Sequence, residues 1–203
     1  MVEDYIGTPY PFDKYYLVIM PAAYPFGGMA NPWLNFVSSS TLVGDRSQIN
    51  VVINNMAQSW FGVQVGFSNW SDLYLNAGFS TMVERQVLAI LNGQDYMFSG
   101  AFIGNYSMCN AISNFNMTGN NPSYGSIHPV YFGQNPDYGF SVVQYEKGYQ
   151  MMQWLSNYLG SDMYRNFLQY YINNNSFMSI TSIDMQRSFA TWIQGLNNLT
   201  GQQ

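Results

Sequence analysis

A chain of 203 residues and 23.1 kDa is the size of one ordinary domain, large enough to bury roughly 70% of the surface its unfolded form exposes. Only 8% of it is charged and 18% is aromatic, where about a quarter charged is usual. A net charge of −5 and a pI near 4.4, with no basic run, exclude nucleic acid and anionic membranes as default partners. An apolar content of 47% argues against disorder. Cys109 is the only cysteine and His128 the only histidine, so neither an internal disulfide nor a histidine-rich metal site is available.

The opening Met1-Val2-Glu3-Asp4 is not a basic-then-apolar leader, and no secretory signal is expected. The apolar run from Leu17 to Ala30 is broken by Pro21, Pro25, Gly27 and Gly28 and falls short of the ~20 residues a membrane helix needs. No membrane span is expected, and a cytoplasmic place or one within a larger assembly is favoured.

Tyr15 to Met20 and Trp33 to Val43 are rich in β-branched and aromatic residues and predict strands around a Pro/Gly loop, Ala22 to Asn31. From Arg46 to Phe61, Ile49, Val52, Ile53, Met56, Ala57 and Trp60 recur at three- and four-residue spacings and predict a helix stopped by Gly62. A second helix is expected from Ser71 to Leu91 and a third from Asp95 to Phe115, with Cys109 as a small buried residue on the latter. A long loop, Asn116 to Asp137, holds three prolines and His128. Helices over Ser141–Leu159, Ser161–Asn173 and Ser182–Leu199 close the chain. The expected organisation is a single α+β, predominantly helical domain, with a partial β lobe over 1–44 and a helical lobe over 45–203.

The first helix carries Asn54-Asn55-Met56-Ala57-Gln58-Ser59-Trp60-Phe61-Gly62. This run resembles the zinc helix, H-E-x-x-H-x-W-x-G, of the gluzincin aminopeptidases, the family of aminopeptidase N and the leukotriene hydrolases. Gly27-Gly28-Met29-Ala30-Asn31 is similar to the family's G-x-M-E-N loop, which recognises the free amino terminus of a peptide. Trp70 to Ser80 resembles the W-x-D-x-W-L-N-E-G-F-A segment that brings the third zinc ligand. Glu84-Arg85, Tyr145-Glu146-Lys147-Gly148 and Ser179 to Asp184 follow in the family's order. The resemblance covers most of the chain and implies a thermolysin-like catalytic domain, its partial sheet at the N-terminal side, without the family's flanking domains.

The family's chemistry needs two imidazoles four residues apart and a carboxylate from the next helix, holding zinc with one position open for water. Here Asn54 and Gln58 keep the four-residue spacing and Ala77 stands nineteen residues on, where the third ligand belongs. Asn55 replaces the general base and Ala30 the glutamate of the amine-recognition loop. An amide accepts no proton at useful pH and suits zinc poorly as a ligand. The expectation is therefore no metal and no cofactor, the three ligand positions being vacated. It extends to a non-enzyme: an inactive aminopeptidase-like domain that binds a peptide or serves as a scaffold or assembly subunit. The resemblance makes Tyr145 a relict stabiliser of the tetrahedral intermediate and Glu84 a group behind the former metal. Read alone, Tyr145 is a core aromatic and Glu84 half of a surface pair with Arg85.

Residues Gly27 to Asn31 and Asp137 complete the expected substrate-binding set. One alternative is a residual or metal-independent hydrolase, with Tyr145 and Asp137 acting on an activated substrate; another is a sequence altered on purpose to remove the site. Apolar surface left bare by missing flanks, together with the scarcity of charge, leads us to expect a protein partner or self-association.

Overall fold

The computed structural model describes residues 1–119 and 121–200, with side chains as far as 196. Residue 120 of the expected loop and residues 201–203 of the expected helical lobe lie outside the described residues.

Helices dominate, as the sequence predicts. Val2–Ile6 (α1) precedes a small sheet of Tyr16–Met20 (β1), Gly28–Met29 (β2) and Leu34–Ser38 (β3). Its order is β1-β3-β2, with β1 parallel and β2 antiparallel to β3. The helical part comprises Ile49–Ala57 (α2), Leu73–Asn92 (α3), Gln94–Met117 (α4), Val142–Leu159 (α5), Ser161–Asn174 (α6) and Ser182–Thr200 (α7). A second, two-stranded parallel sheet pairs Val65–Phe67 (β4) with Met178–Ile180 (β5).

Two expectations need correction, and some short elements are unanticipated. The strand expected over Trp33–Val43 ends at Ser38, because the Ser38 hydroxyl accepts from Ser40 N–H and opens a 3-10 turn. Neither α1 nor the β4–β5 pair is anticipated, since each is too short to show a period. Cys109 is exposed rather than buried. The expected long loop holds two further 3-10 turns, at Pro122–Gly125 and Pro136–Tyr138.

α3 is the central helix, buried along most of its length between α2, α4 and α5. Its approach to α5 is allowed by two glycines: a Cβ on Gly78 would lie 2.6 Å from the Gly148 carbonyl carbon. Aromatic packing fills the interior, with Phe61 stacked on Phe79 at 4.8 Å and Tyr171 4.9 Å from Phe79. Trp60 is fully buried and donates its indole N–H to Pro9 O at 3.0 Å, tying the end of α2 to the N-terminal segment.

The start of α7 is fixed from a distance. The buried Asp72 carboxylate accepts from the Ser182 N–H at 3.0 Å and from the Ser182 hydroxyl. His128 Nε2 lies 3.3 Å from the same carboxylate, which tethers the expected loop to this corner. No described helix is long and apolar enough to cross a membrane.

Candidate functional site

The middle of α2 faces β3 and α3, and its polar residues are inward because Ile53 and Ala57 hold the rest of its inner face in the core. Asn55, 4% exposed, directs its amide to Phe36 O at 3.3 Å and so pins α2 to β3. Gly28 of β2 packs directly upon it: a Cβ there would lie 2.6 Å from Asn55 Nδ2 and 2.9 Å from Val51 Cγ1. The loop and the helix that the sequence places 27 residues apart therefore meet at a glycine.

Beside Asn55 runs a chain of hydrogen bonds. Gln58 Nε2 donates to Asn54 Oδ1 at 2.7 Å, and Asn54 Nδ2 donates to Glu84 Oε2 at 2.8 Å. The i, i+4 spacing that would set two imidazoles on one face here sets two amides there. Ala77, Thr81 and Glu84 recur at four and three residues along α3, so they share the face that α2 covers. Ala77 is 1% exposed and offers only a methyl group.

Burial pushes the Glu84 carboxyl up to about 7, against the hydrogen bond from Asn54 and the charge of Arg85, which act to lower it. Arg85 does not pair with Glu84 across the surface, contrary to the simpler sequence reading. It turns inward and forms a bidentate ion pair with Glu146, Nη1 to Oε2 at 2.9 Å and Nη2 to Oε1 at 2.7 Å. The Tyr149 ring covers the guanidinium at 4.1 Å. Glu146 is thus a site-building residue that the sequence reading leaves unassigned, although its place beside Tyr145 is a signal for it.

A cleft of about 320 Å³ opens over these groups, lined among others by Gly27, Gly28, Gln58, Glu84 and Tyr145. Tyr145 reaches it from α5; burial raises its phenol above the ordinary value. Of the expected substrate loop, Gly27 and Gly28 line the cleft, while Met29 is exposed and Ala30 and Asn31 lie outside the lining. Asp137 is not brought in: it is exposed on a 3-10 turn, where the Asn135 side chain caps its N–H at 3.0 Å.

A helical peptidase-like lobe on a partial sheet, with motif-bearing α2 and α3 facing a cleft, defines the catalytic-domain architecture of a metallopeptidase. Residues 1–200 match the sequence profile described as Peptidase family M1 domain. The chain is 34% identical to aminopeptidase B of Mus musculus over 192 residues, covering 91% of this chain and 29% of that protein. It is 30% identical to leucine aminopeptidase 2 of Ajellomyces capsulatus over 189 residues, 93% of this chain and 30% of that one. Yeast LTA4 hydrolase in complex with bestatin is similar in structure, with a TM-score of 0.89 and 25% identity over 98% of this chain and 32% of its own. An M1 zinc metallopeptidase from Deinococcus radiodurans bound to a Tyr-Ser-Ala substrate shares the fold at a TM-score of 0.68 and 18% identity, over 94% of this chain and 38% of its own.

This chain belongs to peptidase family M1. It spans about 30% of the length of these aminopeptidase relatives.

Two expectations are overturned by these matches. The relatives are named as aminopeptidases, so the reading of a non-enzyme does not stand. The family is one of zinc metallopeptidases, so the reading of a chain without a cofactor does not stand either. The donor set at Asn54, Gln58 and Ala77 nevertheless differs from imidazole, imidazole and carboxylate, and its two amides are already bonded along the chain to Glu84. Amide and methyl groups are not the imidazole and carboxylate donors that zinc ordinarily takes. What these side chains themselves offer is hydrogen bonding, a proton on Glu84 and the phenol of Tyr145.

Proposed function

We propose that this chain is a peptide-binding domain of family M1 whose cleft takes the amino-terminal end of a short peptide. The observation that carries the reading is Glu84, a buried carboxyl in the lining of a cleft that Gly27 and Gly28 also line. A free α-amino group ionises near 7.7–8.0, so at neutral pH it enters as an ammonium; its charge would favour the ionised form of a carboxyl held near 7, whose proton passes to water, and the two would pair. Tyr145 and Gln58 stand within the same lining to meet the first peptide group.

Calorimetric titration of trialanine at pH 7.5 tests this. Saturable binding is expected, with N-acetyl-trialanine at least tenfold weaker because it carries no ammonium. Gly28→Ala is expected to weaken trialanine binding, since the added methyl meets Asn55 and Val51 and pushes the loop off α2. Equal binding of the acetylated peptide, or none of the free one, would overturn the reading.

A second reading, self-association, is favoured by the outer face of α4. Phe102 and Tyr106 stand four residues apart there, each more than 60% exposed, and Asp95 is the one charged residue on that helix. Sedimentation at tens of micromolar is expected to show a dimer that Phe102→Glu dissociates. A wild-type monomer throughout that range would dismiss it.

A further inference from the structure

Further along α5 lies a second cavity, of about 730 Å³, which shares no lining residue with the cleft. The Tyr149 ring separates it from the Arg85–Glu146 pair, since Arg85 stacks at 4.1 Å on that ring and the ring lines the cavity. Tyr5 and Phe98 supply further apolar walls, and Gln86, Gln153 and Asn157 supply amides. Burial pushes the Tyr5 phenol up, so it stays a neutral hydrogen-bonding group.

Arg165 is the only charged residue in this lining. Its Nε donates to Tyr5 O at 2.9 Å and its Nη2 to Asp4 O at 2.6 Å, which fixes the guanidinium while leaving Nη1 without a partner among the described residues. No described carboxylate lies within ion-pair distance of it, in a chain that has almost twice as many acids as bases. Asp162, the nearest acid in sequence to the α5–α6 turn, is exposed and outside the lining. A partly buried guanidinium held by neutral carbonyls keeps its full charge, and a planar carboxylate is its natural complement.

We propose that this cavity is a second ligand site, taking a small aromatic carboxylate whose anionic end meets Arg165 and whose ring lies against Tyr5, Phe98 and Tyr149. One guanidinium balances one negative charge, so a carboxylate matches the site better than a doubly charged phosphate ester. The surrounding amides both donate and accept, and accommodate a polar substituent on the ligand without adding charge. The site is independent of the cleft: neither Glu84 nor Tyr145 takes part.

Phenylacetate titrated into the full chain, followed through side-chain amide resonances by two-dimensional NMR, tests the assignment. Saturable shifts at Gln86, Gln153 and Asn157 are expected, with a Kd of about a millimolar, the range open to a ligand of about ten heavy atoms. Phenylacetamide, the neutral isostere, is expected to bind at least tenfold more weakly, and Arg165→Gln to lose the phenylacetate response. Arg165 also holds α1, so Phe98→Ala provides a variant at an exposed position that leaves the fold intact; it is expected to weaken binding several-fold. Absence of saturation in the wild type, equal response to phenylacetamide, or unchanged affinity in Phe98→Ala would each overturn the proposal.

Discussion

Glu84 shows how a single carboxyl can report on the site. Its proton is held to about 7 in the folded chain by burial, whereas an unfolded glutamate releases it near 4.3. Between those values the folded state binds more protons than the unfolded one, so the group's contribution to stability is complete below about 4.3 and is lost as pH rises through 7. Glu84→Gln keeps an acceptor for Asn54 and removes the ionisation. The variant is expected to match the wild type in denaturant midpoint at pH 4.5 and to exceed it at pH 8 by about 1–3 kcal/mol, the lower part of that range reflecting partial exposure. A constant difference across that pH range would mean that Glu84 does not ionise on its own in the cleft.

Other motif residues have structural partners that explain their persistence. Gly62 and Asn76 touch, a Cβ on Gly62 falling 2.7 Å from Asn76 Nδ2. Gly78 meets Gly148, Arg85 meets Glu146, and Asp72 meets Ser182, each pair joining motifs that are distant in sequence. These residues assemble the scaffold.

At the scale of elements, the helices were readable because their apolar positions recur at 3.6 residues; α2, α3, α5 and α6 begin and end within a few residues of where the pattern puts them. β4 and β5 were not, as three-residue strands paired across more than a hundred residues carry no local signal. α4 misled the assignment of Cys109 because its apolar residues lie all round it, leaving no face to read. The site was legible where it lay in a motif, and illegible where it depended on which way a side chain turned, as with Arg85. The register of α2 against α3 leads to a direct test. With Asn54→His, Asn55→Glu, Gln58→His and Ala77→Glu together, the family's donor set is restored on helices that already face each other. One zinc per chain, retained through dialysis and measured by elemental analysis, is expected. Failure of a folded quadruple variant to retain zinc would show that α3 is displaced from the family's register at Ala77.

Three helices of the whole molecule depend on one ion pair. Arg85 comes from α3 and Glu146 from α5, and Arg85 Nη2 also donates to Gly100 O of α4 at 3.3 Å. Both charged side chains are less than a tenth exposed. α4 approaches closely enough that a Cβ on Gly104 would fall 2.2 Å from Glu146 Oε1. Arg85→Met strands a buried carboxylate and is expected to cost about 3–5 kcal/mol, a fall in melting temperature of about 8–15 °C for a domain of this size. Adding Glu146→Leu removes the stranded charge and fills the space with apolar atoms, so the double variant is expected to regain most of the loss. Thermal denaturation of the two variants side by side separates the explanations. Recovery in the double variant assigns the loss to unpaired charge, whereas equal destabilisation of both assigns it to the geometry by which the guanidinium, stacked on Tyr149 and bonded to Gly100, holds α3, α4 and α5 together.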